Sequence, residues 1–232
     1  HISYGEIEGF DAAGNSLGTF SSGETAVMFS KSHQVGNFRM GITSKFLFSN
    51  IVGYRAAAFA ADLGGLFIHP EQELAVGLVI KNLGFPFSSY SDSDQSGLPF
   101  DVQAGITVKP EYMPVRFTLT AYNLVRPGDS YDDPSTEESL STFQQVMNHT
   151  SLGAEVIVHR NVQLLMGYNF LRQQELRLDS GGGGSGFTLG MAATISTFQM
   201  IVAGSRYSTG NMNYTFTLAA ELNRMILRKR TL

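Results

Sequence analysis

Between residues 100 and 123 the chain alternates almost without error. Phe100, Val102, Ala104, Ile106 and Val108 interleave with Asp101, Gln103, Gly105, Thr107 and Lys109, and after a turn Val115, Phe117, Leu119 and Ala121 interleave with Arg116, Thr118, Thr120 and Tyr122. Successive side chains of a strand point to opposite faces, so each arm presents one apolar and one polar face. The intervening Pro110-Glu111-Tyr112-Met113-Pro114 carries two prolines that cannot donate to a ladder, which ends both arms.

The same period recurs along the chain. It predicts strands over residues 2–10, near 24–32, from 38 for about a dozen residues, over 54–67, 74–82, 152–159, 162–170, 187–195 and 198–207, and a last one from 213. That is about twelve two-faced strands and no helix. The connections tend to alternate between long and short: long before Glu24, short at His33, Asn50 and His69, long at Phe87, short at Pro110, long at Val125, short at Arg160, long at Gly181, short at Ser196 and medium at Ser208. Only the Asn50 connection breaks the rule. Short turns on one side and long loops on the other are the mark of an outer-membrane barrel, and strands of about nine to eleven residues match a tilted bilayer crossing. The expected fold is therefore all-β, a transmembrane antiparallel β-barrel over residues 1–223 with a basic periplasmic tail over 224–232. The 17 Phe and 9 Tyr, many near strand ends, suit interfacial girdles.

Composition narrows the function. With 43% hydrophobic residues the 232-residue chain is not disordered, and a net charge of −4 supplies no field for nucleic acid. No run of 18 apolar residues exists for a transmembrane helix. Zero cysteines remove disulfides and thiolate metal sites. A start at His1 within strand pattern is expected to reflect a missing N-terminal portion.

Chemistry-bearing motifs are few. Asp92, Asp94 and Ser96 precede Gly97 as in a calcium loop, but the twelfth position is Gln103 where a bidentate Glu is needed, so a polar turn is the better reading. The glycine-rich 181–186 loop lacks the Lys-Ser/Thr of a phosphate loop. His149 and Ser151 sit at a loop end rather than side by side on a strand face, and no catalytic role or cofactor is expected. On the polar face Arg39, Lys45, Asp62, Asp101, Lys109, Arg116, Glu155 and Glu221 have both signs, the composition of a lumen filled by ion pairs rather than of an open single-sign pore. Recognition then falls to the outer loops, with Phe85, Phe87 and Tyr90 and the acidic Asp129, Asp132, Asp133, Glu137 and Glu138 as the docking candidates.

Five blocks carry a resemblance: AADLGGLF (60–67), LAVGLVIKNLG (74–84), LPFDVQAGITVKP (98–110), PVRFTLTAYNL (114–124) and GYNFLRQQELRLDSGGGGSGFTLGM (167–191). In order and spacing they resemble the PorV/PorQ family of outer-membrane proteins of the type IX secretion system, more distantly related to FadL-like barrels. The resemblance implies a fourteen-stranded barrel whose first portion precedes this chain, and a non-enzymatic role. In that role the barrel holds a PorZ-like surface protein within the attachment complex that also contains PorU and PorV and links cargo to lipopolysaccharide. The alternative is a FadL-like transporter of hydrophobic molecules, which needs an N-terminal hatch and an apolar path through the lumen.

Overall fold

The computed structural model describes residues 1–90, 97–126, 141–176, 184–208 and 211–220. The protein is all-β. The described residues form twelve strands, β1 (Ile2–Phe10), β2 (Ser16–Val35), β3 (Phe38–Ile51), β4 (Tyr54–Ile68), β5 (Leu74–Ser88), β6 (Asp101–Val108), β7 (Val115–Ala121), β8 (Thr150–His159), β9 (Val162–Asn169), β10 (Phe187–Ile195), β11 (Phe198–Ser208) and β12 (Asn211–Ala220). They lie in sequence order in one sheet, every neighbour in the chain being a neighbour in space. Two compact units divide the residues, His1–Phe67 with Gly77–Gln103, and Ile68–Val76 with Ala104–Leu232.

Register puts the expected faces together. In the first unit Phe38 lies opposite Phe67, Ile42 opposite Leu63 and Phe46 opposite Phe59. In the second, Val108 lies opposite Phe117, Ile106 opposite Leu119, and Leu119 opposite Leu152. On the other face Thr107 meets Thr118 and Arg116 meets Glu155. A one-residue slip would invert every one of these pairs, so the alternation fixes the register.

Turn chemistry explains the tight connections. Val52 and Gly53 both have positive φ, 51° and 86°, the backbone that a two-residue hairpin turn demands, and Gly36 (57°) and Ser196 (59°) do the same at their turns. Over 11–15 the Asp11 carboxylate accepts from the backbone N–H groups of Ala13 (2.9 Å) and Asn15 (2.8 Å) and from the Asn15 amide (2.9 Å). The Asn15 side chain is the main reason this carboxyl sits below the usual Asp range.

Three expectations change. The second strand spans Ser16–Val35, so the first connection is a five-residue turn and not a long loop. Of the medium loop expected at 208–212, Ser208 belongs to β11 and Asn211 and Met212 to β12. Among the described residues there are also two helices, α1 (Thr142–Asn148) and α2 (Phe170–Glu175), both inside connections where no helix was expected. Each is under two turns or barely so, too short to display a 3.6-residue period. Both are instead set by caps. Ser141 accepts from Gln144 N–H while the Gln144 side chain accepts from Ser141 N–H, and Asn169 accepts from Arg172 N–H. Long and short connections alternate cleanly from β5 to β11.

The apolar face is the exposed one. Phe38, Met40, Ile42, Phe46 and Phe48 on β3 are open to the surroundings, as are Phe117 and Leu119 on β7, Leu189 and Met191 on β10 and Phe216 and Leu218 on β12. Among the described residues the buried hydrophobic side chains are three alanines, Ala58, Ala60 and Ala192, and no large side chain is fully buried. By contrast Lys45, Asp62, Thr107, Thr118 and Glu155 on the other face are half-buried. A soluble sheet packs its apolar face against a second layer. Here each unit shows the reverse.

Candidate functional site

On the polar face of the first unit, Lys45 on β3 lies opposite Ala60, and Asp62 on β4 lies opposite Thr43. The ion pair is therefore diagonal, and the small Ala60 leaves the Lys45 stem room to cross it. Nζ reaches Asp62 Oδ2 at 2.7 Å, and the two side chains retain 12% and 17% of their exposure. A third partner comes from β5. Asn82 has a φ of 58°, its backbone N–H donates to Asp62 Oδ1 (2.9 Å), and its side-chain oxygen accepts from Lys45 Nζ (2.9 Å).

That left-handed residue resets the alternation of β5. Before it Val76 and Leu78 are exposed on the apolar face; after it Leu83, Phe85 and Phe87 are. One residue has been inserted into the pattern, as in a β-bulge. Phe85 and Phe87, expected in a docking loop, are accordingly strand residues. Their rings continue a row from Phe46 through Phe59 (5.3 Å), Phe85 (6.5 Å) and Phe87 (5.7 Å) across the apolar face. Tyr90 points the other way and donates to Ser49 Oγ at 2.6 Å.

In the second unit Arg116 on β7 faces Glu155 on β8 directly, with Nη1 to Oε2 at 2.8 Å. Thr107 and Thr118 hydrogen-bond at 3.0 Å across β6 and β7. Lys109 lies just beyond β6, and it joins two turns: its N–H donates to the Glu73 carbonyl (2.9 Å) and its Nζ to the Glu73 carboxylate (2.8 Å). Lys109 therefore lies in a turn and not on the strand face where it was expected. Arg39 is exposed near the β2–β3 turn and donates to Gln34 at 2.9 Å, while Asp101 accepts from Gln103 at 2.5 Å. Of the eight charges read as face-filling, four form two ion pairs between neighbouring strands. Glu221 lies outside the described residues, as do Asp92, Asp94, Ser96, Asp129, Asp132, Asp133, Glu137 and Glu138.

The opposite end of the second unit carries the helices. Tyr122, at the end of β7, donates to the Asn148 carbonyl closing α1 (2.8 Å) and accepts from the amide of Asn169, the residue that caps α2 (3.1 Å). One phenol stitches a strand end to both helices. Burial pushes this phenol above the usual Tyr range. Gly186 is required beside it, because it has a φ of 83° and a Cβ there would stand 2.5 Å from the Asn169 carbonyl. The cap leaves Phe143 72% and Val146 57% exposed, three residues apart on one side of α1. His149 ends α1 and is buried, in an edge-type ring contact with Tyr122 at a centroid distance of 6.3 Å. The sequence pattern gave no signal for this cap beyond Ser141-x-x-Gln144.

On the polar face of the first unit lies a cavity of about 640 Å³, lined by Ala26, Met28, Leu47, Ala56 and Ala58 among others. No group of three His, Asp or Glu able to hold a metal occurs among the described residues. No helix among them is long and apolar enough to cross a membrane, which says nothing of strands. No family model matches the chain, and no curated protein matches it.

Proposed function

We propose that the chain is an outer-membrane β-barrel that holds a surface protein at the cell exterior. The observation that carries the membrane part is the inverted sheet. Apolar strand faces this extensive, left exposed on both units while charges pair on the opposite face, suit a protein whose outer solvent is hydrocarbon. In lipid every backbone donor and acceptor must be paired, and strands achieve that by closing on themselves. Tight turns at 160–161 and 196–197 then fall on the periplasmic side, and the connections bearing α1 and α2 fall outside.

The finer role rests on the resemblance. The five blocks support a PorQ-like protein of the type IX secretion system, which anchors a PorZ-like partner in the attachment complex with PorU and PorV. Ion-paired polar faces favour structural closure over an open pore, which leaves the outer connections to recognise the partner. Exposed Phe143 and Val146 on α1 supply an apolar contact of the kind that anchors interfaces. Copurification from membranes in mild detergent tests this. A surface-exposed protein of the attachment complex is expected to remain bound, and F143A together with V146A is expected to reduce its recovery about tenfold, roughly the effect of losing one modest hot spot. Full recovery from that variant and from one lacking residues 129–138 removes the docking reading while leaving the barrel.

A second reading has one observation in its favour. The cavity over Ala26, Met28, Leu47, Ala56 and Ala58 is apolar, which suits a FadL-like carrier of hydrophobic molecules. Uptake of a labelled fatty acid by vesicles containing the protein, absent from empty vesicles, supports transport over anchoring.

A further inference from the structure

Both flanks of the β5–β6 connection are tied to the polar face of the strands. On one flank Tyr90 Oη donates to Ser49 Oγ (2.6 Å), and Ser49 donates to Glu24 Oε1 (3.3 Å), Ser49 and Glu24 being direct register partners on β3 and β2. On the other flank the carbonyl of Pro99 accepts from Asn82 Nδ2 at 2.7 Å. Asn82 is itself fixed, by Asp62 at its backbone N–H and by Lys45 at its side-chain oxygen. A long connection whose ends were free would carry such polar atoms out to water. Here a tyrosine hydroxyl and a backbone carbonyl turn toward the strands instead. The same two flanks, through Tyr90, Leu98 and Pro99, line the apolar cavity described above.

We propose that Ser49 and Asn82 are the two anchors of a latch that holds Tyr90 and Leu98–Pro99 over the apolar cavity on the polar face of β2–β4. Asn82 is the more important anchor. Its backbone N–H holds Asp62, and its side-chain amide holds Lys45 and the Pro99 carbonyl, so that the ion pair stiffens the latch. Ser49 is the lighter anchor, a hydroxyl relay between Tyr90 and Glu24. Covering the cavity keeps Ala56, Ala58 and Leu47 from water, and releasing either anchor opens it.

The inference rests on the barrel reading only for the statement that this face is the inward one. The chain has no cysteine, so a single Cys at position 98 is a clean reporter. In detergent micelles, a bulky maleimide is expected to modify L98C slowly compared with Y112C, since Tyr112 is 91% exposed in a turn. Adding Y90F, which removes only a hydroxyl, is expected to speed labelling about fivefold, and adding N82G about tenfold, the changes that follow from losing one or two hydrogen bonds. Glycine keeps the positive φ of Asn82, so the backbone is retained. Labelling of L98C as fast as Y112C in the parent, or at one rate in all three backgrounds, overturns the latch. The gel mobility of unheated against heated protein reads the barrel separately in every variant, so failure of the latch and failure of the barrel are distinguished.

Discussion

Leu119→Arg is expected to destabilise the protein in lipid by about 2–4 kcal/mol, the cost of a guanidinium facing the middle of a bilayer. Leu119 is central in β7, 43% exposed, with Ile106 and Leu152 opposite it on either side. For a sheet surrounded by water the same change adds a charge to an exposed surface and costs almost nothing. The neighbouring Thr118→Arg serves as the contrast, since it projects onto the polar face beside Arg116 and Glu155. Urea unfolding in phospholipid vesicles measures both. A large loss at 119 with a small one at 118 is the expected outcome, and two small losses contradict a lipid-facing surface.

The second large effect lies at the diagonal pair. Lys45→Met leaves the Asp62 carboxylate with its Asn82 N–H bond but without its paired cation, in a site where less than a fifth of either side chain is exposed. Removing one partner of a pair so enclosed is expected to cost about 3 kcal/mol. Lys45→Met with Asp62→Leu is expected to recover most of that, because the loss arises from a stranded charge and not from a missing attraction. If the double variant is no more stable than the single one in the same unfolding assay, the pair contributes chiefly by attraction.

Much of this architecture was legible because strand faces follow a period of two. The 100–123 hairpin and the Phe38–Phe48 face need only alternation, which is local, while Arg116 and Glu155 were legible as polar-face charges and not as a pair. What escaped notice was set by single residues. At Asn82 a left-handed backbone shifts the phase of β5, moving Phe85 and Phe87 from an expected loop to the apolar face, and nothing in the composition of that stretch marks φ. The helices α1 and α2 are too short for periodicity and depend on caps, Ser141 with Gln144 and Asn169 with Arg172 N–H. Charge pairing on the polar face was visible as mixed sign; that Lys45 reaches diagonally to Asp62, and that Lys109 bridges two turns through Glu73, depends on register and turn geometry.

The proposed partner rests on the resemblance and on the connection bearing α1, while the proposed membrane setting rests on the exposed apolar face of the sheet, so either can fail without the other. The absence of tryptophan allows the sheet to be questioned at one residue at a time. Place a single Trp at position 119 or at position 118, which lies opposite Gly153 on β8 and Thr107 on β6. Reconstitute each variant with lipids brominated midway along the acyl chain. The account predicts strong quenching of L119W and weak quenching of T118W. Equal quenching at the two positions, or none at 119, would contradict a sheet that turns its apolar face to lipid.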